Sequence, residues 1–256
     1  MRLGPDTPAV VTGAGSGLGA ATARALAARG VRVGVLDRDP DAAARVAGEI
    51  HGLALAADVT DPAAVAAALA RAAEAHGPAR LVVACAGIAP AARTIDRDGR
   101  PHDAEVFSRV IAVNLMGTFH VASQAAAAMA PLDPLTPDGE RGVIVATASV
   151  AAFEGQIGQI AYAASKGAVA AMMLPMARDL AKTGVRAVAI APGLFLTPML
   201  EGLPAEAQAS LGAQVPFPAR LGAPSEFADL VLAIAGNPML NGAVIRLDGA
   251  IRMGPR

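Results

Sequence analysis

Ala9-Val-Val-Thr-Gly-Ala-Gly-Ser-Gly-Leu-Gly19 is the stretch on which the fold turns. Ala9 to Thr12 is a short apolar run, the pattern of a strand buried on both faces. Gly17 to Arg29 reads as a helix ended by Gly30. The glycines between them permit a tight turn and a close approach of the backbone to a ligand. The first N–H groups of the helix point into that turn, which makes it a seat for a pyrophosphate. Thr12, Gly13, Gly15, Ser16, Gly17, Leu18 and Gly19 are the candidate contacts.

Working outward, the same alternation repeats. Val31–Leu36 reads as a strand, then a helix from Asp41 to Ile50, strand Leu53–Ala57, helix Pro62–His76 and strand Leu81–Cys85. A long helix is expected over Ala104–Ala130, then strand Val143–Ala148, a helix over Gly158–Leu180 and strand Val185–Ala191. Helix Ser225–Gly236 and strand Gly242–Leu247 end the series. Seven strands alternating with helices predict an α/β fold, a doubly wound seven-stranded parallel sheet in a single domain over residues 1–256. Segments 89–101, 131–142 and 192–224 are polar and rich in Pro and Gly, and read as surface loops. The last is long enough to be a substrate loop, with a small helix expected near Pro204–Leu211.

Composition narrows the class. The chain is 54% hydrophobic but only 3% aromatic, so its core must be aliphatic, as helices on a buried sheet require. With 21 basic against 22 acidic residues, nothing calls for a nucleic acid or an anionic membrane. The lone Cys85 precludes an internal disulfide and fits a reducing compartment. No secretory leader is visible, and no apolar run reaches the ~18 residues of a membrane span. The expectation is a soluble, cytoplasmic protein without a metal site.

At the end of the second strand stands Asp37, 24 residues beyond Gly13. A carboxylate there accepts hydrogen bonds from ribose hydroxyls and repels a 2′-phosphate, which favours NAD over NADP, although Arg38 beside it pulls the other way. Asp58 and Val59 close the third strand within reach of the adenine, and Cys85, Ala86 and Gly87 close the fourth. Cys85 itself reads as a small buried hydrophobe. Asn114 interrupts an apolar helix, either as a satisfied core amide or as the holder of a water in a proton path.

Chemistry concentrates in Ser149 to Lys166. Tyr162 is the only tyrosine, and Lys166 follows it at i+4, on the same helical face. A phenol with an ordinary pKa of ~10 is a poor base at neutral pH, and a neighbouring cation is expected to lower it. Ser149, thirteen residues upstream, falls at a strand end, positioned to hold a carbonyl oxygen beside the phenol. The set suits hydride transfer to or from a carbonyl, with tyrosine as acid/base.

Together these motifs resemble the short-chain dehydrogenase/reductase family over essentially the whole chain, and its Rossmann fold is what the resemblance implies. The matching residues are Thr12-Gly13-xxx-Gly17-x-Gly19, Asp58, Cys85–Gly87, Asn114, Ser149, Tyr162-xxx-Lys166 and Pro192-Gly193. The family pattern implies a tetrad of Asn114, Ser149, Tyr162 and Lys166, with Lys166 on the nicotinamide ribose. It also implies that Pro192, Gly193 and Thr197 lie along the nicotinamide. Within the family the chain looks like the type 10 hydroxysteroid dehydrogenase branch, also called short-chain 3-hydroxyacyl-CoA dehydrogenases. That likeness rests on Cys85–Ala89, Val113–Phe119, Thr147–Gln156, Ala191–Phe195, Gln214–Pro218 and Ile245–Met253, among other segments. It implies NAD-dependent interconversion of 3-hydroxyacyl-CoA and 3-ketoacyl-CoA by a homotetramer. A steroid or alcohol dehydrogenase, or a 3-ketoacyl reductase, would use the same tetrad, and a non-catalytic dinucleotide sensor is the rival from another class.

On the substrate side the residues say less. Gln156 is a candidate substrate contact, whereas Gln159 reads as helix-start polarity. Leu194, Phe195, Leu196, Met199, Leu200 and Leu203 form an apolar stripe that covers an acyl chain or folds under itself.

Overall fold

The computed structural model describes residues 1–202 and 204–255; Leu203 and the side chain of Met199, both counted in the apolar stripe, lie outside the described part. Strands β1 (Ala9–Thr12), β2 (Val33–Asp37), β3 (Leu53–Ala56), β4 (Leu81–Ala84), β5 (Gly142–Thr147), β6 (Val185–Pro192) and β7 (Val244–Leu247) form one sheet. Its order is β3-β2-β1-β4-β5-β6-β7, and every neighbouring pair is parallel. The order reverses between β1 and β4, and the crevice beyond the strand ends at such a reversal is where this architecture binds ligands.

The helices are α1 (Gly17–Ala27), α2 (Pro40–Ile50), α3 (Pro62–His76), α4 (Ala104–Ile111), α5 (Gly117–Met129), α6 (Ile160–Asp179), α7 (Pro198–Glu201), α8 (Ala205–Gly212) and α9 (Pro224–Gly236). Local chemistry starts several of them. The carboxylates of Asp39, Asp61 and Asp103 each accept two backbone N–H bonds at the first turns of α2, α3 and α4. Pro40 and Pro62 follow two of those caps, where the missing N–H costs nothing.

Successive strand residues feed opposite cores. Val11, Val83 and Val145 pack with Leu26, Phe227 and Ile234 on the α1–α9 side. Val10, Val82 and Ile144 pack with Val65, Val121 and Met129 on the other. Both faces are therefore covered, which explains strands that read as unbroken apolar runs.

Three expectations need correction. The helix expected over 104–130 runs from Ala104 to Met129 but is not α throughout: it carries a π turn, Ala112–Met116, in which the Asn114 side chain bonds to the Ile88 main chain. Loop 131–142 is not wholly on the surface: Glu140 is buried, bonded at 2.7 and 2.9 Å to a buried Arg186 on β6. Finally, helical segments Ala104–Met129 and Ile160–Asp179 are long and apolar enough to cross a membrane. Both instead flank the sheet of this α/β fold and supply residues to its cores. The long loop holds α7 as well as the expected small helix, found at 205–212.

Candidate active site

A cleft of about 730 Å³ opens at the strand ends beside the β1/β4 reversal. Asp37 lines one end, the glycine turn and Ala86–Gly87 its middle, and Ser149, Tyr162 and Leu194–Phe195 the other.

The glycine end is shaped by backbone. Gly13 has φ +62°, and a Cβ there would lie 2.7 Å from Ala86 N, so the segments leaving β1 and β4 can approach this closely only with glycine at this position. At Gly15 a Cβ would lie 2.7 Å from Ala42 Cβ and 2.9 Å from Asp37 Oδ2. The Gly15 N–H donates to Asp37 Oδ2 at 2.9 Å, and its carbonyl accepts from Arg45 Nη2 at 2.7 Å. Asp39 N–H holds the other Asp37 oxygen at 3.1 Å. A turn with glycine at 13, 15 and 17 at the start of α1, and a carboxylate oriented at its far end, fits a dinucleotide.

Ser16, Gly17, Leu18 and Gly19 line this part of the cleft, as do Asp58 and Val59 beside it. Thr12 does not: it is buried, and its hydroxyl accepts from Ala86 N–H at 3.3 Å, bracing β1 against β4. Asp58 spends one oxygen on the Thr60 N–H and hydroxyl, each at 2.8 Å, and these bonds hold its carboxyl below the usual range.

The reacting end brings Cys85, Gly87, Ser149, Tyr162 and Lys166 onto one wall. Asn114 stands behind them, fully buried. Its Oδ1 accepts from Ile88 N–H at 2.8 Å, and its Nδ2 donates to Ile88 O at 2.9 Å and Ser165 Oγ at 3.0 Å. These three bonds fix the segment after β4 against α6 and leave the carboxamide oxygen one further acceptor position. A Cβ on Gly87 would lie 3.2 Å from Asn114 Oδ1 and 3.6 Å from Lys166 Nζ, so glycine keeps that passage open.

Electrostatics here depart from the expected lowering of the phenol pKa. Burial pushes Tyr162 above its ordinary value, opposed by a hydrogen bond from Ser149. Lys166 is also buried, which brings it down to about 8, and Nζ donates to the Thr147 carbonyl at 2.6 Å. Its ammonium stands over the tyrosine ring, 5.8 Å from the centroid, where the ring face attracts it. Desolvation of the phenolate outweighs that distant cation. Cys85, bonded by the Thr147 hydroxyl at 3.5 Å, is pushed up to about 11 by burial and stays a thiol, as a small hydrophobe would.

Pro192, Gly193, Leu194, Phe195 and Thr197 line the cleft where β6 runs into the long loop. Gln156 and Gln159 both line it too, but each is engaged with main chain: Gln156 Nε2 with Gly254 O at 3.3 Å, Gln159 Oε1 with Gln156 N–H at 3.0 Å. Sequence reading missed Arg45 and Met253 as cleft residues. Arg45 belongs to no local motif; Met253 ends a quoted segment whose position is set only by folding. Among the described residues no group of His, Cys, Asp or Glu is arranged to hold a metal ion.

A nucleotide cradle joined to a buried serine and lysine and a half-buried tyrosine, on a doubly wound sheet, is the equipment of a carbonyl–alcohol oxidoreductase. The chain belongs to the short chain dehydrogenase family, whose model matches residues 7–208, and it is an NAD-dependent dehydrogenase. It is 51% identical over 251 residues to the 3-hydroxyacyl-CoA dehydrogenase type-2 of Homo sapiens, covering 96% of this chain and 95% of that one. It is 50% identical over 249 residues to the protein of the same name from Drosophila melanogaster, covering 96% and 97%. The crystal structure of a 3-hydroxyacyl-CoA dehydrogenase type-2 from Mycobacterium avium superposes with a TM-score of 0.94 at 40% identity, covering both chains completely.

Proposed function

We propose that this protein interconverts 3-hydroxyacyl-CoA and 3-ketoacyl-CoA, and that one domain, residues 1–256, carries the reaction with 192–224 as its substrate loop. The supporting observation is the near-complete alignment with relatives bearing that name, combined with a cleft that holds serine, tyrosine and lysine together. Gly13, Gly15–Gly19, Asp37 and Val59 would hold NAD, with Pro192, Gly193 and Thr197 at its nicotinamide end. NAD, when bound, accepts or supplies the hydride.

The chain's own groups handle the proton. In the reducing direction Tyr162 Oη gives its proton to the ketone oxygen, and in the oxidising direction it takes that proton back. A phenol kept protonated by burial is suited to the first role. For the second, Lys166 must turn from the Thr147 carbonyl toward the ribose and phenol, where its charge favours the phenolate. The Ser149 hydroxyl donates to the same substrate oxygen and orients it. Asn114 acts at one remove, by fixing Ile88 and Ser165. Leu194 and Phe195 would cover the acyl group.

The test is NADH consumption with acetoacetyl-CoA, run beside NADPH and a simple ketone. Fast turnover with NADH and the thioester is expected; turnover of the plain ketone alone would discard the acyl-CoA assignment and keep the proton chemistry. We also place the protein in the cytoplasm as a homotetramer. The single cysteine and near-neutral charge support the first, and the exposed Met116, Phe119, Ile160 and Leu174 on successive helices support the second. Sedimentation as a monomer would remove the tetramer.

A further inference from the structure

The segment after β7 has no role in the chemistry above, yet it is bound tightly to the turn between Ser149 and Tyr162. Arg246, on β7, chelates Glu154 with both terminal nitrogens at 2.8 Å, and its Nε donates to Asp248 Oδ2 at 2.7 Å. Its Nη2 also reaches the Ile251 carbonyl at 3.0 Å. Arg252 returns to Asp248 at 3.2 Å and lies 3.6 Å from Glu154. Two guanidinium groups and two carboxylates thus close on one another, with Arg252 on the exposed side and the Arg246 guanidinium over the Phe153 ring at 5.4 Å. Bidentate arginine–carboxylate pairs fix orientation as well as distance.

Beyond this cluster the two segments continue side by side. Gln156 Nε2 donates to Gly254 O at 3.3 Å, and Ile157 N–H donates to Pro255 O at 3.0 Å. Between these anchors Met253 lines the cleft, on the same lining as Ser149, Gln156 and Tyr162. A thioether carried on a segment pinned on both sides is a fixed apolar surface at the reacting end.

We infer that residues 251–255, clipped to residues 153–157 by Arg246 and Glu154, form a wall of the substrate pocket, and that Met253 sets the size of the acyl group admitted. This rests on the acyl-CoA reading for the identity of the group measured, but the wall itself rests only on the clip and the cleft. Arg246 and Glu154 touch no reacting atom and are positioning residues. Met253 discriminates by contact, and one methylene gained or lost in such a pocket changes specificity roughly tenfold or more.

The test compares kcat and KM with NADH for acetoacetyl-CoA and for 3-ketoacyl-CoAs carrying a branched or a longer straight chain. Met253→Trp is expected to lower kcat/KM for the bulky substrates, relative to acetoacetyl-CoA, by about tenfold, and Met253→Ala to raise that ratio. Arg246→Met should raise KM for the bulky substrates more than it lowers kcat, and Arg246→Lys should recover part of the loss. A chain-length profile unchanged in both Met253 variants overturns the inference, even if Arg246→Met fails to fold. If the wild type reduces plain ketones and no thioester, the acyl-CoA reading fails alone. The same variants are then run on a small and a branched ketone, where an unchanged size ratio refutes the wall and a narrowed one supports it.

Discussion

The two ends of the cleft are built from different materials. At the glycine end the wall is main chain: the Gly13 approach to Ala86, the Gly15 peptide held between Asp37 and Arg45, and the first turn of α1. At the other end it is side chains on loops and short helices, with Leu194, Phe195, Gln156 and Met253 drawn from three separate stretches. Backbone cannot change shape without breaking the sheet it terminates. Side chains on connectors can, at little cost to the core. On the proposed function, cofactor recognition would lie in the rigid half and substrate choice in the replaceable one.

The largest expected effect falls where the halves meet. Tyr162→Phe keeps the ring over which Lys166 stands and removes only the hydroxyl group that carries the proton. Loss of a positioned acid/base is worth 10²- to 10⁴-fold, so kcat for acetoacetyl-CoA reduction should fall by about a thousandfold. The NADH dissociation constant, read by fluorescence titration, should stay within a few-fold of wild type. A variant that kept its turnover would leave the tyrosine as part of the wall and nothing more.

A smaller effect tests the rigid half. Asp37→Ala removes a carboxylate that orders Gly15 and Asp39 and is placed to accept ribose hydroxyls. Hydrogen bonds to a charged group contribute about 1.5–3 kcal/mol, so NADH should bind at least about tenfold more weakly. NADPH should gain relative to NADH, because Arg38 and Arg45 line the same end and the repelling charge has gone. An unchanged NADH affinity would mean that the glycine turn alone holds the nucleotide.

The same division decides what can be read in the sequence. Ala9–Gly19 announces itself because a buried strand, a bare turn and a helix start each leave a local signature within eleven residues. Tyr162 and Lys166 are legible because helical periodicity puts i and i+4 together. Arg45 carries no such mark: its bond to the Gly15 carbonyl, 30 residues away, exists only once α2 packs beside the turn. Arg246 on β7 and Glu154 meet across 92 residues, and Met253 reaches the cleft only because of that closure. Asn114 shows a limit of another kind. Its oddness in an apolar helix is visible, but its partners depend on where Ile88 and Ser165 arrive. The direction of the Tyr162 shift was misjudged for a related reason, since i+4 spacing gives proximity but says nothing about how dry the pair becomes.

That dryness has a measurable consequence, the smallest of the three. Lys166 carries a pKa of about 8 in the fold against an ordinary 10.5, so between those values the unfolded chain binds a proton that the native protein has lost. Stability rises with pH wherever the unfolded state binds more protons, so burial of this ammonium penalises the native state fully below about pH 8 and progressively less above it. Cys85 works in the opposite sense: its thiol, ordinary value 9.0, is held to about 11, so its contribution declines from about pH 9 upward. Tyr162, raised from 10.0, adds to that decline at higher pH. The Lys166 effect is therefore the larger one between about pH 8 and 9, where, partly offset by Cys85, protein without added NADH should gain about 0.6 kcal/mol in urea unfolding. Lys166→Met, which keeps the stem and removes the titrating group, should flatten that rise. A wild type already flat across this interval would mean that water reaches the ammonium, and that the reacting end is wetter than the packing around Thr147 implies.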